Sequence, residues 1–298
     1  MTTELSPRAA AGSRREPGLL AAIATSLLLL PSLAAAQAIP LGTAATFGVL
    51  ANASVTNTGP TNVIGHLGVS PGTAVNGFPP GTFSGSLFTG AAGPAGQAQT
   101  DLAAAMVTAA GAGACVFPAG ADLAGQTLTP GTYCFPAGAL LTGTLILDFQ
   151  GDPNASFLIK TGSTLSTASG SNVLAVNTGG AGCLPNVNWL IGSSATLGTN
   201  SNFAGNLLAV ASITLTTGAN LRGRALARDA SVTLDANGTV GGCPVAAAFV
   251  GGPVPGAVGA GVQSVPTLQE WSLALLALML GGVGAWIVRR RGNPAARR

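Results

Sequence analysis

Three stretches of the chain read Ser194-Ala-Thr-Leu-Gly-Thr-Asn-Ser-Asn-Phe-Ala-Gly-Asn-Leu-Leu-Ala-Val210, Ser212-Ile-Thr-Leu-Thr-Thr-Gly-Ala-Asn-Leu-Arg-Gly-Arg-Ala-Leu-Ala-Arg228 and Ser231-Val-Thr-Leu-Asp-Ala-Asn-Gly-Thr-Val240. A Thr-Leu step recurs at Thr196, Thr214 and Thr233, at spacings of 18 and 19 residues. Further copies stand at Thr164-Leu165 and, more weakly, at Thr144-Leu145, with insertions between them and the later units. Ala195, Ile213 and Val232 precede each Thr, and Leu197, Leu215 and Leu234 follow it. Alternation with period two places these apolar residues on one side of a strand and the Thr on the other. A second apolar position follows at Val173, Phe203, Leu221 and Val240, and a third stretch at Leu208-Ala209-Val210 and Leu226-Ala227.

Three short strands in about 18–20 residues make one three-sided coil, and stacked coils bury an apolar face that one coil cannot. A β-sandwich also has many short strands, but it gives no reason for side-chain identity to recur at one phase. The expected fold is an all-β solenoid, a right-handed parallel β-helix of triangular cross-section. Gly205 and Gly223 hold matching positions, as a corner with unusual backbone angles requires. One segment breaks the pattern. Gly96–Ala110 is Ala-rich and places Leu102, Ala105, Met106 and Ala109 on one helical face, which predicts one long α-helix lying alongside.

Of 298 residues, 47% are hydrophobic and only 7% charged, with 44 Gly. Such a chain has little material for acid–base chemistry, and neither an enzyme, a cofactor nor a metal site is expected. Between Ile39 and Ala260 the charges are Lys160, Arg222, Arg224 and Arg228 against Asp101, Asp122, Asp148, Asp152, Asp229 and Asp235. The formal net charge of +3 therefore belongs to the ends, and no nucleic-acid footprint exists. Asp148 and Asp152 flank a turn, and no recurring Asp, Arg and Lys cluster joins them to make a carbohydrate-cleaving site. His66 has no nucleophile motif nearby and reads as structural.

Residues 1–38 read as a secretory signal: Arg8, Arg14 and Arg15, an apolar run from about Leu19 to Leu33, then small residues at Ala34-Ala35-Ala36. The body spans 39–250, and 251–264 is a Gly/Ala/Pro linker. Ser272–Val288 is an uncharged run just long enough to span a bilayer as a C-terminal transmembrane helix, and Arg289-Arg290-Arg291 would hold its far end in the cytoplasm. With Pro266, Thr267, Leu268 and Trp271 ahead of it, the segment 265–298 resembles an IPTL-CTERM sorting signal, although Val265 replaces the usual Ile. That resemblance implies a sorting protease of exosortase type as a partner, and a protein exported to the cell envelope or cell surface, or secreted after processing.

The repeats, with Leu41-Gly-Thr-Ala-Ala-Thr-Phe-Gly-Val-Leu50, Val55-Thr-Asn-Thr-Gly-Pro-Thr61, Gly65-His-Leu-Gly-Val-Ser-Pro-Gly-Thr-Ala74, Gly77-Phe-Pro-Pro-Gly81, Leu128-Thr-Pro-Gly-Thr-Tyr133 and Gly223-Arg-Ala-Leu-Ala227, resemble the ice-binding-like domain of bacteria, algae and fungi. The resemblance covers about 200 residues. It implies a discontinuous β-helix whose first coil comes from the N-terminal part, with a capping region and the long helix intervening. It also implies an ice surface, or another extracellular surface, as partner. The main candidate site is then the outward stack Thr164, Thr196, Thr214 and Thr233. Strands about 4.7–4.9 Å apart, with alternate residues about 6.6 Å apart, form a rigid grid able to order water. Thr offers a methyl and a hydroxyl on a side chain stiff at χ1. A second candidate is Thr199, Thr217, Asn202 and Asn220, because Thr217-Gly-Ala-Asn220 and Thr161-Gly-Ser-Thr164 resemble the Thr-Gly-x-Thr/Asn motif of active members. Turn chemistry or an Asn ladder would explain those residues equally. Gly198, Thr216 and Asp235 share one phase and interrupt the regularity, which leaves a structural or adhesive surface protein on the same scaffold as the alternative.

Four Cys in an exported chain read as disulfides, with three possible pairings. The expected pairs are Cys115–Cys134, enclosing the short segment before Tyr133, and Cys183–Cys243, tying the start of the regular coils to their end. The tail generates a first prediction. Replacing both Pro266 and Trp271 by Ala is expected to leave a longer, membrane-retained species on an immunoblot of fractionated cells. An unchanged processed band would reduce the tail to a plain anchor.

Overall fold

The computed structural model describes residues 38–180 and 186–242. In these residues the chain winds through three parallel sheets of nine, seven and eight strands, visiting each once per coil. Asn206–Ala209, Ile213–Leu215 and Asn220–Arg222 form one coil, and Ala225–Ala227, Val232–Asp235 and Val240–Gly241 stack on it strand for strand. We name the sheets, in that order, the helix-side, threonine and asparagine sheets.

The solenoid is discontinuous, as the resemblance implies. Phe47–Ala51 pairs with Ala225–Ala227, Ser54–Thr58 with Val232–Asp235, and Asn62–Ile64 with Val240–Gly241. The N-terminal coil therefore lies on top of the last coil in sequence. A further coil (His66–Val69, Ala74–Asn76, Thr82–Phe83) and the strand Leu87–Thr89 finish that end. Helix α1 (Pro94–Gly111) follows, and the chain resumes at the opposite end with Cys115–Val116 and Thr127–Leu128.

Alternation decides what each strand buries. Ala195, Leu197, Ile213, Leu215, Val232, Leu234 and Val55 point inward and are buried. Val173, Phe203, Leu221, Val240 and Val63 do the same on the asparagine sheet. Trp189 is fully buried in the core, its ring centroid 4.7 Å from that of Phe203, with its indole N–H donating to the Ala204 carbonyl at 3.1 Å. At the corner leaving the asparagine sheet, Gly205 and Gly223 have φ of +116° and +147°. A Cβ on Gly223 would lie 2.0 Å from the Gly205 carbonyl oxygen, so the stacked corners exclude a side chain there.

Helix α1 covers the outer side of the helix-side sheet. Pro94 opens it, where a missing amide hydrogen costs nothing. Ala98, Leu102, Ala105, Met106 and Ala109 are buried against Leu50, Leu158, Leu208 and Leu226. Its C-terminus is held by the Lys160 ammonium, which donates to the carbonyls of Ala110 at 3.1 Å and Ala112 at 2.8 Å. Burial under the helix pushes the Lys160 amine below its ordinary pKa. Near the middle of the helix, Asp101 accepts from the Thr43 amide and hydroxyl, both at 2.7 Å, and fixes the 3-10 turn Gly42–Thr46 to the helix.

Cys115 and Cys134 are joined, which ties the first strand after the helix to its neighbour, with Cα atoms 5.5 Å apart. Cys183, Cys243 and the run Ser272–Val288 lie outside the described residues. Among the described residues no helix is long and apolar enough to cross a membrane. Two stability predictions follow from this packing. Leu215→Ala removes a fully buried side chain and is expected to cost about 2–5 kcal/mol. Loss of the 115–134 bridge by Cys134→Ala is expected to cost about 2–4 kcal/mol through the freed unfolded chain. Urea denaturation of the variants measures both. A midpoint for Leu215→Ala equal to the parent's would show that this side chain is not in the core.

Candidate functional site

The outer surface of the threonine sheet carries three in-register rows. Thr196 pairs with Thr214, Thr214 with Thr233, and Thr233 with Thr56. Ser166 continues this middle row beyond Thr196, and Leu140 beyond Ser166; Asn76 continues it beyond Thr56. One row, two residues earlier on each strand, holds Ser194, Ser212, Ser231 and Ser54. The other, two residues later, holds Gly198, Thr216, Asp235 and Thr58. Strands about 4.8 Å apart and rows about 6.6 Å apart give the surface a two-dimensional period.

The structure shifts one expected member. Thr164 is not in the Thr row: Leu165 stands opposite Ala195, and Ser166 opposite Thr196, so Thr164 aligns with Ser194. The Thr164-Leu165 step is displaced by two residues from the later copies. A two-residue shift preserves which side chains point in, so alternation could not reveal it. Thr144-Leu145 is displaced further. It lies on the asparagine sheet, opposite Asn172-Val173. The structure adds Thr56 to the row, and its sequence signal is that Ser54-Val-Thr56 and Ser231-Val-Thr233 are the same tripeptide.

Hydrogen bonding separates the rows. Ser54 and Ser231 hydroxyls lie 2.8 Å apart, and Ser194 Oγ accepts from the Ser212 amide at 3.3 Å. Thr216 Oγ1 donates to the Leu197 carbonyl at 2.8 Å. By contrast, none of the side chains of Thr56, Thr196, Thr214 and Thr233 bonds to the protein among the described residues. Three of these four threonines are exposed, and Thr214, at the centre, is half-buried.

The second candidate group divides. Asn202 Nδ2 donates to Asn172 Oδ1 at 3.1 Å and Asn220 Nδ2 to Asn202 Oδ1 at 3.3 Å, while Asn220 Oδ1 accepts from the Thr239 amide at 2.9 Å. These amides form a ladder down the start of the asparagine sheet and spend their polarity on one another. Thr199 is half-buried, its hydroxyl 3.4 Å from that of Thr216. Thr217 is exposed, and its hydroxyl donates to the Asp235 carboxylate.

His66, Asp148 and Asp152 have local partners. His66 Nδ1 accepts from the Ser86 amide at 2.9 Å, with the ring between Phe47 and Phe88. Asp148 accepts from the Gln150 amide and the Asn177 side chain, and Asp152 from the Asn154 amide, all within one turn region. Among the described residues no group of His, Cys, Asp or Glu could hold a metal ion.

The chain is similar to known proteins over this whole region. A profile of the ice-binding-like family matches residues 49–240, and the IPTL-CTERM motif matches 263–292. An ice-binding protein of Nostoc sp. (strain HG1) is 50% identical over 214 residues, which are 70% of this chain and 76% of that one. The crystal structure of an ice-binding protein from the Antarctic ascomycete Antarctomyces psychrotrophicus superposes with a TM-score of 0.64 at 37% identity, covering 69% of this chain and 98% of the other. An ice-binding protein from an Antarctic biological consortium gives 0.65 at 42% identity, with 68% and 90% covered. With its discontinuous solenoid, its helix and its regular threonine face, the chain belongs to the ice-binding-like family.

Proposed function

We propose that this protein is exported and binds ice, acting by adsorption through the outer face of the threonine sheet. One observation carries the assignment to that face: four in-register threonines, Thr196, Thr214, Thr233 and Thr56, whose hydroxyls have no partner among the described residues. Each presents a methyl and a hydroxyl at fixed spacing, held by a β-branched side chain and a rigid ladder. Such a row orders water before contact, so little further order is lost on binding. Ser166 and Asn76 extend the row at its two ends, and Leu140 adds an apolar position, 47% exposed.

The asparagine ladder of Asn202 and Asn220 serves the scaffold, since its amides are already occupied. Affinity then arises from many weak matched contacts and not from a few buried anchors. The IPTL-CTERM motif fits an envelope or surface location reached by export. On this reading residues 1–38 are removed as a signal, 272–288 anchor the protein across the membrane, and an exosortase-type enzyme recognises Pro266, Thr267, Leu268 and Trp271. The adhesive alternative shares the scaffold but gives no reason for an unspent, in-register hydroxyl row.

Watching single ice crystals grow in the purified protein tests the reading: shaped crystals and thermal hysteresis are expected, and unaltered growth would defeat it. Thr214→Tyr should remove most of the hysteresis, because a ring at the centre lifts the flat face off the crystal. Tyr at Thr164, off the row, should hurt less, and Tyr at Val107, on the outer side of α1 and 75% exposed, should not hurt at all. Stability should shift by no more than about 0.5 kcal/mol at the exposed Thr164 and Val107, as for most exposed substitutions, and circular dichroism is the folding control for half-buried Thr214. Equal loss at all three positions would mean that another face binds.

A further inference from the structure

The outward strand positions of the threonine sheet carry charge, among the described residues, at Asp122 and Asp235. Asp122 stands opposite Leu140, at the end of the middle row. Asp235 lies in the row beside it, opposite Thr58 and two residues from Thr233. An ionised carboxylate holds its own water strongly, and stripping or reordering that water is costly. On a surface that must match a water lattice, two such groups are out of place.

Both carboxylates are turned toward the same corner, the one leading from the threonine sheet to the asparagine sheet, and a threonine in that corner holds each. The Thr142 hydroxyl donates to Asp122 Oδ2 at 2.5 Å, and the amides of Thr142 and Ala124 donate to Oδ1 at 3.1 and 3.0 Å. The Thr217 hydroxyl donates to Asp235 Oδ2. Thr142 directly follows the strand Ala139–Leu141, and Thr217 follows Thr216, one residue past Ile213–Leu215. The Asp122 carboxyl lies below the usual carboxylate range, chiefly through the Thr142 hydroxyl, so the tether favours the charged form.

We infer that Thr217 and Thr142 are positioning residues that turn the two carboxylates of the ice-facing sheet toward its corner, away from Thr196, Thr214, Thr233 and Thr56. The inference rests on the ice-binding reading and gives Thr217 a role other than contact with ice. Freed of its tether, Asp235 could rotate about χ1 and bring its charge and bound water over the neighbouring row, about 6.6 Å away along the strand.

The test is a double-mutant cycle on the purified full chain, read by thermal hysteresis, with thermal unfolding as the folding control. Thr217→Val keeps the shape but removes the donor, and a several-fold drop in hysteresis is expected. Asp235→Asn alone should retain or raise activity. The combination of the two should restore it, because no charge is left to restrain. Thr142→Val with Asp122→Asn forms a second cycle, with a smaller expected drop because Asp122 is at the row's end. An undiminished Thr217→Val variant would overturn the inference, as would a loss that Asp235→Asn does not rescue, which would make Thr217 an ice contact or a fold residue. Absence of hysteresis in the unsubstituted protein would instead overturn the ice-binding reading, and this inference with it.

Discussion

The parallel backbone ladder between coils is the constraint on which the rest depends. Each strand bonds to the equivalent strand one coil away, so equivalent side chains stack at about 4.8 Å. The inward half of every strand must then fill a narrow prism with residues that stack on their own kind, as Leu197, Leu215 and Leu234 do. On the threonine sheet, away from helix α1, the outward half inherits the same repeat without a second layer to pack against. A regular exterior is thus a by-product of a regular interior, and selection on the exterior is free to choose what each row displays.

What the rows display is settled by where their hydrogen bonds go. Serines on one flank bond to one another, and Thr216 on the other bonds to the backbone of the preceding coil. The asparagines at the next corner bond down their own ladder. These groups brace the scaffold and have less to offer an external lattice. The central threonines are left unspent among the described residues, and the two nearby carboxylates are held by corner hydroxyls. Polarity on this sheet is sorted into bracing and display by row.

The discontinuity has a mechanical consequence. Thr56 belongs to a strand placed next to Val232–Asp235 although 177 residues separate Thr56 from Thr233 in sequence. The display row is therefore complete only after the N-terminal coil docks on the C-terminal one. The same docking covers the open end of the core at Val232 and Val240 with Val55 and Val63. Helix α1 makes that arrangement possible, carrying the chain back along the solenoid, with Lys160 fixing its C-terminus and Asp101 its middle.

The sequence alone determined the solenoid, because side-chain identity recurring every 18 or 19 residues has no other economical cause, and it determined the helix, because an apolar stripe in an Ala-rich segment has one period. It also determined the inward and outward sets and the corner glycines, while the four Cys left three pairings open and only the structure joins Cys115 to Cys134. It could not determine register where insertions break the repeat. Thr164-Leu165 looks like Thr196-Leu197, but the ladder sets Leu165 against Ala195, since a shift of two leaves every inward residue inward. Nor could it place Thr56 in the row, or tell an asparagine that braces from a threonine that displays. Those distinctions are distances between residues far apart in the chain, and only the stacked coils bring them together.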